Sequence, residues 1–299
     1  MGGSAVRHGE APRVAVSIHR PSPALQSYIT FFYFVAADGP LSDFLYPEWG
    51  NVRFVTKGTW AVHMQGWDEV TPQDGAVSGP TDRPGRISTA GGQVVGFGMT
   101  PIGWHRLIEG DASALTNRIT PLGDRLGEGM STLSARLRAE ADEERAVAMM
   151  EAVIARRLAS RSAVGEQVFA IDQALRTRPA DVTAFADAAG LSERTLYRLC
   201  LKVFGFAPKR LMRLQRFLDT LGQVRSAVGG SVGEAIQGYY DQAHFYRDFR
   251  DFMGMSPRAY FGAPRRLMAA AAEAQRRAGV TLSFRLPPPP GGSAAPPSH

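Results

Sequence analysis

Arg194, Tyr197, Arg198 and Lys202 form one set of polar side chains, and Gln242, Tyr246, Arg247 and Arg250 form a second. An arginine can give two parallel N–H groups to a guanine edge. A tyrosine can pack on a thymine methyl or reach a phosphate, and a lysine can meet the phosphates. The chemistry on offer is therefore the reading of a nucleic-acid duplex. The two sets belong to an internal repeat. Tyr197-Arg198, Gly205 and Pro208 recur as Tyr246-Arg247, Gly254 and Pro257, an offset of 49 residues (197 to 246). Ala186 and Leu196 recur as Ala235 and Phe245 at the same offset.

To present such a set, a helix needs an apolar side and a neighbour to lie against. In the first copy, Val182–Ala189 reads as a short helix with Phe185 and Ala186 facing inward. Gly190 can take the left-handed conformation that ends it. Ser192 suits the N-cap of the next helix, which is expected to run to about Phe204. Its buried stripe is Leu196, Leu199, Cys200 and Val203, and a small Ala186 lets the two helices approach closely near the turn. In the second copy, Ser231 caps Val232–Gln237 and Ala235 takes the small-residue role. Gly238 opens the turn, and Asp241 caps a helix to about Phe252 that buries Phe245, Phe249 and Phe252. Each copy predicts a helix-turn-helix. Between them, Pro208–Val224 reads as one helix of about 25 Å, long enough to help space two reading helices by a DNA turn of about 34 Å. Lys209, Arg210, Arg213 and Arg216 on it are candidates for phosphate contact. Charge is weaker testimony: from Asp181 to Gly262 there are 11 Lys/Arg and 8 Asp/Glu, a net of +3, and Glu193, Asp248 and Asp251 fall near the same face.

The whole chain has 299 residues, 44% of them apolar, so two domains with real cores are expected. No stretch approaches the roughly 18 apolar residues of a membrane span. Met1 to Arg13 lacks the apolar core of a signal peptide. One cysteine, Cys200, excludes an internal disulfide and a multi-cysteine zinc site, and suits a reducing cytoplasm. The net charge of +6 and pI of about 9.8 permit a polyanionic partner without requiring one. Residues 1–12 are expected to be disordered. Residues 13–128 break into short aromatic and β-branched runs between Gly and Pro turns, such as Tyr28–Val35, Val52–Thr56, Trp60–Met64 and Val94–Met99, which reads as a small barrel or sandwich. Residues 129–180 are helical, with Val147, Met150, Ile154 and Leu158 on one face and Val164, Val168, Ile171 and Leu175 on another. Residues 181–262 hold the repeat. Residues 263–299 read as an Ala/Arg-rich stretch with room for one more helix, then a Pro-rich tail, largely disordered.

The runs Leu191 to Gly205 and Gly238 to Tyr260 resemble the two recognition units of the AraC/XylS family of bacterial transcription regulators. The resemblance implies double-stranded operator DNA as partner, a cytoplasmic, nucleoid-associated location and no catalytic centre. It implies base readers at Arg194, Tyr197, Arg198, Gln242, Ala243, Tyr246 and Arg247, with Arg198 and Arg247 often supporting the helix or contacting phosphate in the family. Ser192, Lys202 and Arg250 complete the expected DNA-contacting set. Cys200 stands where the family usually has Phe. Tyr46 to Asn51, Val77 to Pro80 and Val94 to Pro101 resemble the cupin-like β-barrel sensor domain of one subgroup, which binds a small effector or makes dimers. The expected fold class is thus α+β: a cupin-like barrel with flanking helices, then an all-α tandem helix-turn-helix domain. Glu48, Trp49, Arg53 and Trp104 are the candidate effector contacts.

Several sharper readings compete with plainer ones. His63 and His105 lack the spacing of metal-binding cupins, so ordinary polar histidines are preferred and neither metal nor cofactor is expected. Trp49, Trp60, Trp67 and Trp104 line an effector pocket or simply fill the barrel. Val147–Leu158 is a dimer helix or packs on its own barrel. Cys200, in a buried stripe, reads as an inert core thiol before a redox sensor. A second copy of the chain and RNA polymerase stay open as further partners. Two alternatives remain beside an effector-controlled regulator: one whose first domain only dimerises or binds a partner protein, and a cupin-fold enzyme fused to a DNA-binding module.

Overall fold

A computed structural model describes residues 12–66, 69–72, 75–122, 130–160, 165–226 and 242–280. The first half is a seven-stranded antiparallel sheet: β1 Val14–His19, β2 Ile29–Ala37, β3 Leu41–Leu45, β4 Gly50–Met64, β5 Ala76–Ser78, β6 Gly85–Met99 and β7 Ile119–Pro121. The strand order is β1-β2-β6-β4-β5-β7, with β3 also on β6. The α+β division is as expected, but among the described residues the sheet stays open rather than closing into a barrel. The two 15-residue strands β4 and β6 carry the fold. Their pairing slips at Val55/Lys57 and Gly58/Trp60, which bends the ribbon and lets β6 pair with β2 along one end and β3 along the other.

Alternation along the strands builds two cores. Phe32, Phe54, Val95 and Phe97 point to one side, covered by α1 Pro101–Leu107, α2 Met130–Ala139 and α3 Glu143–Ala159. Their immediate neighbours Tyr33, Val55 and Val94 point to the other side, with Trp60, Val62 and Ile87. Met150, Ile154 and Leu158 of α3 pack on the chain's own sheet core, so the plainer of the two readings of that helix describes their inward side. Val164 lies outside the described residues.

The second half opens with α4 Glu166–Arg176, which packs on α5 Val182–Ala188. Then come α6 Glu193–Leu199, α7 Pro208–Ser226, α8 Gln242–Met253 and α9 Pro257–Gly262. Phe217 of α7 makes ring contacts with Phe245, Phe249 and Phe252 of α8, which fixes that helix. The stretch expected to be tail is not wholly so: α10 Arg266–Ala278 folds back onto β1 and β3, with Leu267 in the sheet's core. Both its ends are held by the first half. Asp43 Oδ2 accepts from Met268 N at 3.1 Å, and Arg20 donates to the carbonyls of Ala278 and Gly279 at 2.6 and 2.8 Å. The Asp43 bond serves a first turn with no side-chain cap of its own, and the Arg20 bonds add to a C-terminus that Gly279, at φ 61°, already closes.

Candidate nucleic-acid interface

Asp181 caps α5, accepting from Ala184 N at 2.8 Å. Gly190 follows the helix at φ 64°, a left-handed turn that any other residue would adopt at a cost. Ser192 then caps α6, accepting from Thr195 N at 3.3 Å. The stripe Leu196, Leu199, Cys200 and Val203 is buried as the spacing demanded. The α-helix ends at Leu199, however, and Cys200–Phe204 form one π-helical turn closed by Gly205 at φ 82°. Cys200, Val203 and Phe204 stay buried through this turn, continuing the i, i+3, i+4 stripe of Leu196 and Leu199. Burial pushes the Cys200 thiol up to about 12, as befits a core residue.

The opposite side of α6 is open. Ser192, Arg194, Tyr197, Arg198 and Lys202 are all exposed. On α8 the exposed residues are Ala243, His244, Tyr246, Arg247 and Arg250. Tyr197 is 52% exposed and Tyr246 41%, and they are the exposed large hydrophobic side chains among the described residues. They occupy equivalent places in the repeat. Gln242 begins α8, and its side chain lies outside what is described. So do the helix expected at Val232–Gln237, its cap Ser231, Ala235, and the turn from Gly238 to Asp241. The two helices expected to carry the contact sets are thus present, and among the described residues the first has its whole helix-turn-helix unit.

The structure sorts the arginines by employment. Arg194, Arg198, Arg247 and Arg250 make no ion pair with another described residue. The arginines of α7 differ. Arg210 Nε lies 2.5 Å from Asp82 Oδ2, and its Nη1 pairs with Asp251. Arg213 lies 2.5 Å from Asp248 and 3.0 Å from Asp251. Both guanidiniums also sit over the Phe252 ring, at 4.2 and 5.6 Å. Their expected phosphate role gives way to a bracing one, because two acidic residues of α8 face them. Burial alone would raise the Asp251 carboxyl, but hydrogen bonds and charge from Arg210 and Arg213 hold it below the usual carboxylate range. Lys209 and Arg216 remain exposed. Together with Met212, Arg213 and His244 they line a cleft between the start of α5 and α8.

The candidate effector residues part company. Glu48 and Arg53 are ion-paired at 2.5 Å, and Arg53 also donates to Ser78 Oγ at 2.6 Å. Beside them, Tyr33 OH donates to Asn51 Oδ1 at 2.7 Å, and burial pushes its phenol above the usual range so that it stays neutral. With Trp49 these residues border a cavity between the sheet and helices α7 and α10. Trp104 is elsewhere: it is 1% exposed in the core under α1 and does not border that cavity. Its ring sits where a side chain on Gly50 would go, which is why position 50 carries none. Trp67 lies outside the described residues. His63 is exposed on β4 and His105 half-buried on α1, and no group of three or more His, Cys, Asp or Glu is placed to hold a metal among the described residues.

The sequence did not disclose that Tyr46 to Trp49 joins the two halves. Tyr46 packs on Tyr260 with ring centroids 6.0 Å apart, and Trp49 meets Phe204 edge-on at 5.8 Å. Both aromatics belong to the core of the second half. Nearby, Asn117 and Asp82 hydrogen-bond each other at 2.7 and 3.0 Å, and Thr116 donates to Gly205 O at 2.9 Å.

Residues 185–263 match the model of a helix-turn-helix domain, and residues 17–121 match that of a domain of unknown function, DUF6597. No curated protein matches the chain. Among solved structures, ToxT from Vibrio cholerae aligns over 84% of this chain and 98% of its own, at 6% identity and a TM-score of 0.47. Wild-type ToxT bound to an unsaturated fatty acid, from V. cholerae strain SCE256, aligns over 83% and 94%, at 11% identity and a TM-score of 0.42. The AraC-like transcriptional activator CuxR aligns over 73% and 89%, at 14% identity and a TM-score of 0.29. No helix among the described residues is long and apolar enough to cross a membrane.

Proposed function

We infer from the AraC-type helix-turn-helix family, to which residues 185–263 belong, that this DNA-binding regulator reads a specific operator with both α6 and α8. The two helices enter successive major grooves and α7 spans the backbone between them. The observation that carries this reading is the pair Tyr197 and Tyr246, exposed at equivalent places in the repeat and flanked by the unpaired Arg198 and Arg247. On an operator each tyrosine would pack on a thymine methyl or reach a phosphate. Ser192, Arg194 and Lys202 would complete the first contact surface, and Gln242, Ala243 and Arg250 the second. The sheet domain is the sensor, with Glu48, Trp49 and Arg53 at its ligand site. Catalysis has no part in this role; the domain family is one of transcription regulators, not of enzymes.

The test is selection of bound sequences from a random duplex pool by the full chain, followed by a salt titration on the winner. Two short motifs about one helical turn apart are expected. Binding that is independent of sequence and vanishes with salt would overturn base reading by these helices.

A further inference from the structure

A cavity of about 170 Å³ lies between the two halves of the molecule. Tyr33, Trp60 and Val94 form its sheet wall, and Leu221 of α7 with Met268 and Ala271 of α10 face them. Three observations limit what it can take. The first is size: an apolar cavity of about 150 Å³ holds one benzene ring, so this one suits a single ring with a small substituent. The second is charge. Arg53 is the buried cation at the wall, and it is already paired with Glu48 at 2.5 Å and Ser78 at 2.6 Å. The other Glu48 oxygen faces Asn51 Nδ2 at 3.3 Å. An entering carboxylate would meet the Glu48 charge and could reach Arg53 only by displacing it, which breaks the ion pair already made there. The third is a spare donor. Trp60 is 2% exposed, and its Nε1 has no hydrogen-bond partner among the described residues. A buried N–H with nothing to donate to is costly and invites an acceptor.

We propose that this cavity binds a small neutral aromatic molecule bearing one hydroxyl or carbonyl group. Helix α10, which lies beyond the matched helix-turn-helix domain, is a wall of the site. The ring fills the space between Val94 and Leu221, and a small turn of the Trp60 indole, whose Nε1 is fully buried, lets the oxygen accept from it. The proposal rests on the sensor reading of the sheet domain but not on DNA binding, so the binding test contains no DNA. Calorimetric titration of the full chain with p-cresol and with benzoate is expected to show p-cresol binding at least tenfold more tightly. Ala271→Trp, which fills the cavity from α10, should abolish the p-cresol heat. Leu221→Phe serves the same purpose should Ala271→Trp not fold. Glu48→Gln should bring benzoate to within threefold of p-cresol, because Arg53 is then released to pair with it. Benzoate binding as tightly as p-cresol to the unaltered chain would overturn the proposal. So would saturable p-cresol binding to both filled variants, or no saturable heat from p-cresol, benzyl alcohol or indole at millimolar concentration. If p-cresol binds as described but leaves operator affinity unchanged, the site stands and the sensor's control over DNA binding falls.

Discussion

A single arginine on this surface does one of two jobs, and its neighbours decide which. Arg198 and Arg247 have solvent around them and no acidic partner, so their loss should be felt only by DNA. Arg198→Ala and Arg247→Ala are each expected to cost about 1–3 kcal/mol of operator binding, roughly 5- to 150-fold. Folding stability should change by no more than about 0.5 kcal/mol. Competition binding at fixed salt and chemical denaturation measure the two quantities. Arg213→Ala should show the reverse emphasis. It removes a charge-assisted hydrogen bond from Asp248, which is 7% exposed, and so should lower stability by about 1–3 kcal/mol. The sequence displays both kinds of arginine alike, because the acids that employ Arg210 and Arg213 lie 35 or more residues away along the chain. The thiol of Cys200 makes the same point from the other side: its buried place was legible in the 3.6-residue stripe. With the thiol held up at about 12, iodoacetamide at neutral pH should label the unfolded chain and spare the folded one. Rapid labelling of the native protein would refute that.

Between elements, the link with most consequence runs from Glu48 to α8. Glu48 N donates to Thr81 Oγ1 at 2.8 Å, and Asp82, next in sequence, holds Arg210, which in turn holds Asp251 on the second recognition helix. The wall of the cavity and α8, the helix proposed to read DNA, thus share one chain of polar contacts. Its pH dependence has a definite sign. Asp251 is held below its ordinary range in the folded state, so its pairing stabilises the fold above the unfolded carboxyl's pKa of about 3.9 and is lost as pH falls through the lower folded value. The stability difference between the parent and Asp251→Asn should therefore be full at pH 6 and shrink steadily below pH 4. A difference that stays constant to pH 3 would show that charge plays no part. How such elements could be foreseen varied with the kind of contact that makes them. The helices of the repeat were legible because caps and apolar spacing are local. The sheet was legible as strands but not as an order, since β3 pairs with β6 across 40 to 48 residues, from Leu45↔Gly85 to Leu41↔Thr89. The π-helical turn at Cys200–Phe204 escaped because its buried residues keep the i, i+3, i+4 spacing of an ordinary α-helix. Tyr46 to Trp49 was legible as a motif, yet its partners Tyr260 and Phe204 are far along the chain.

For the whole molecule, α10 decides whether there are two domains or one body. It belongs by sequence to the second half, yet the side-chain bonds at both its ends and most of its packing come from the first. Its composition hid this. Residues 269–274 are mostly alanine, so the stretch left room for a helix but carried no large apolar face to show that it docks on the sheet. Alanine nevertheless has the best intrinsic helix propensity and lets a helix lie close against a sheet. Ending the chain after Ala263 should therefore uncover apolar surface on β1 and β3, including the side of Val16 and Leu45 that borders the cavity. The expected result is a lower thermal midpoint and binding of a surface-sensitive dye, while α6 and α8 keep their operator contacts. A gentler version removes one cap at a time. Arg20→Ala deletes both hydrogen bonds to the end of α10 and should cost about 1–2 kcal/mol, or roughly 2–8 °C in a chain of this size. Because α10 also walls the cavity, the same variant should weaken p-cresol binding without touching a residue of the cavity itself. If Arg20→Ala left both the midpoint and p-cresol affinity unchanged, α10 would be a passenger on the sheet, and the two halves would meet only through Tyr46, Trp49 and Asp82.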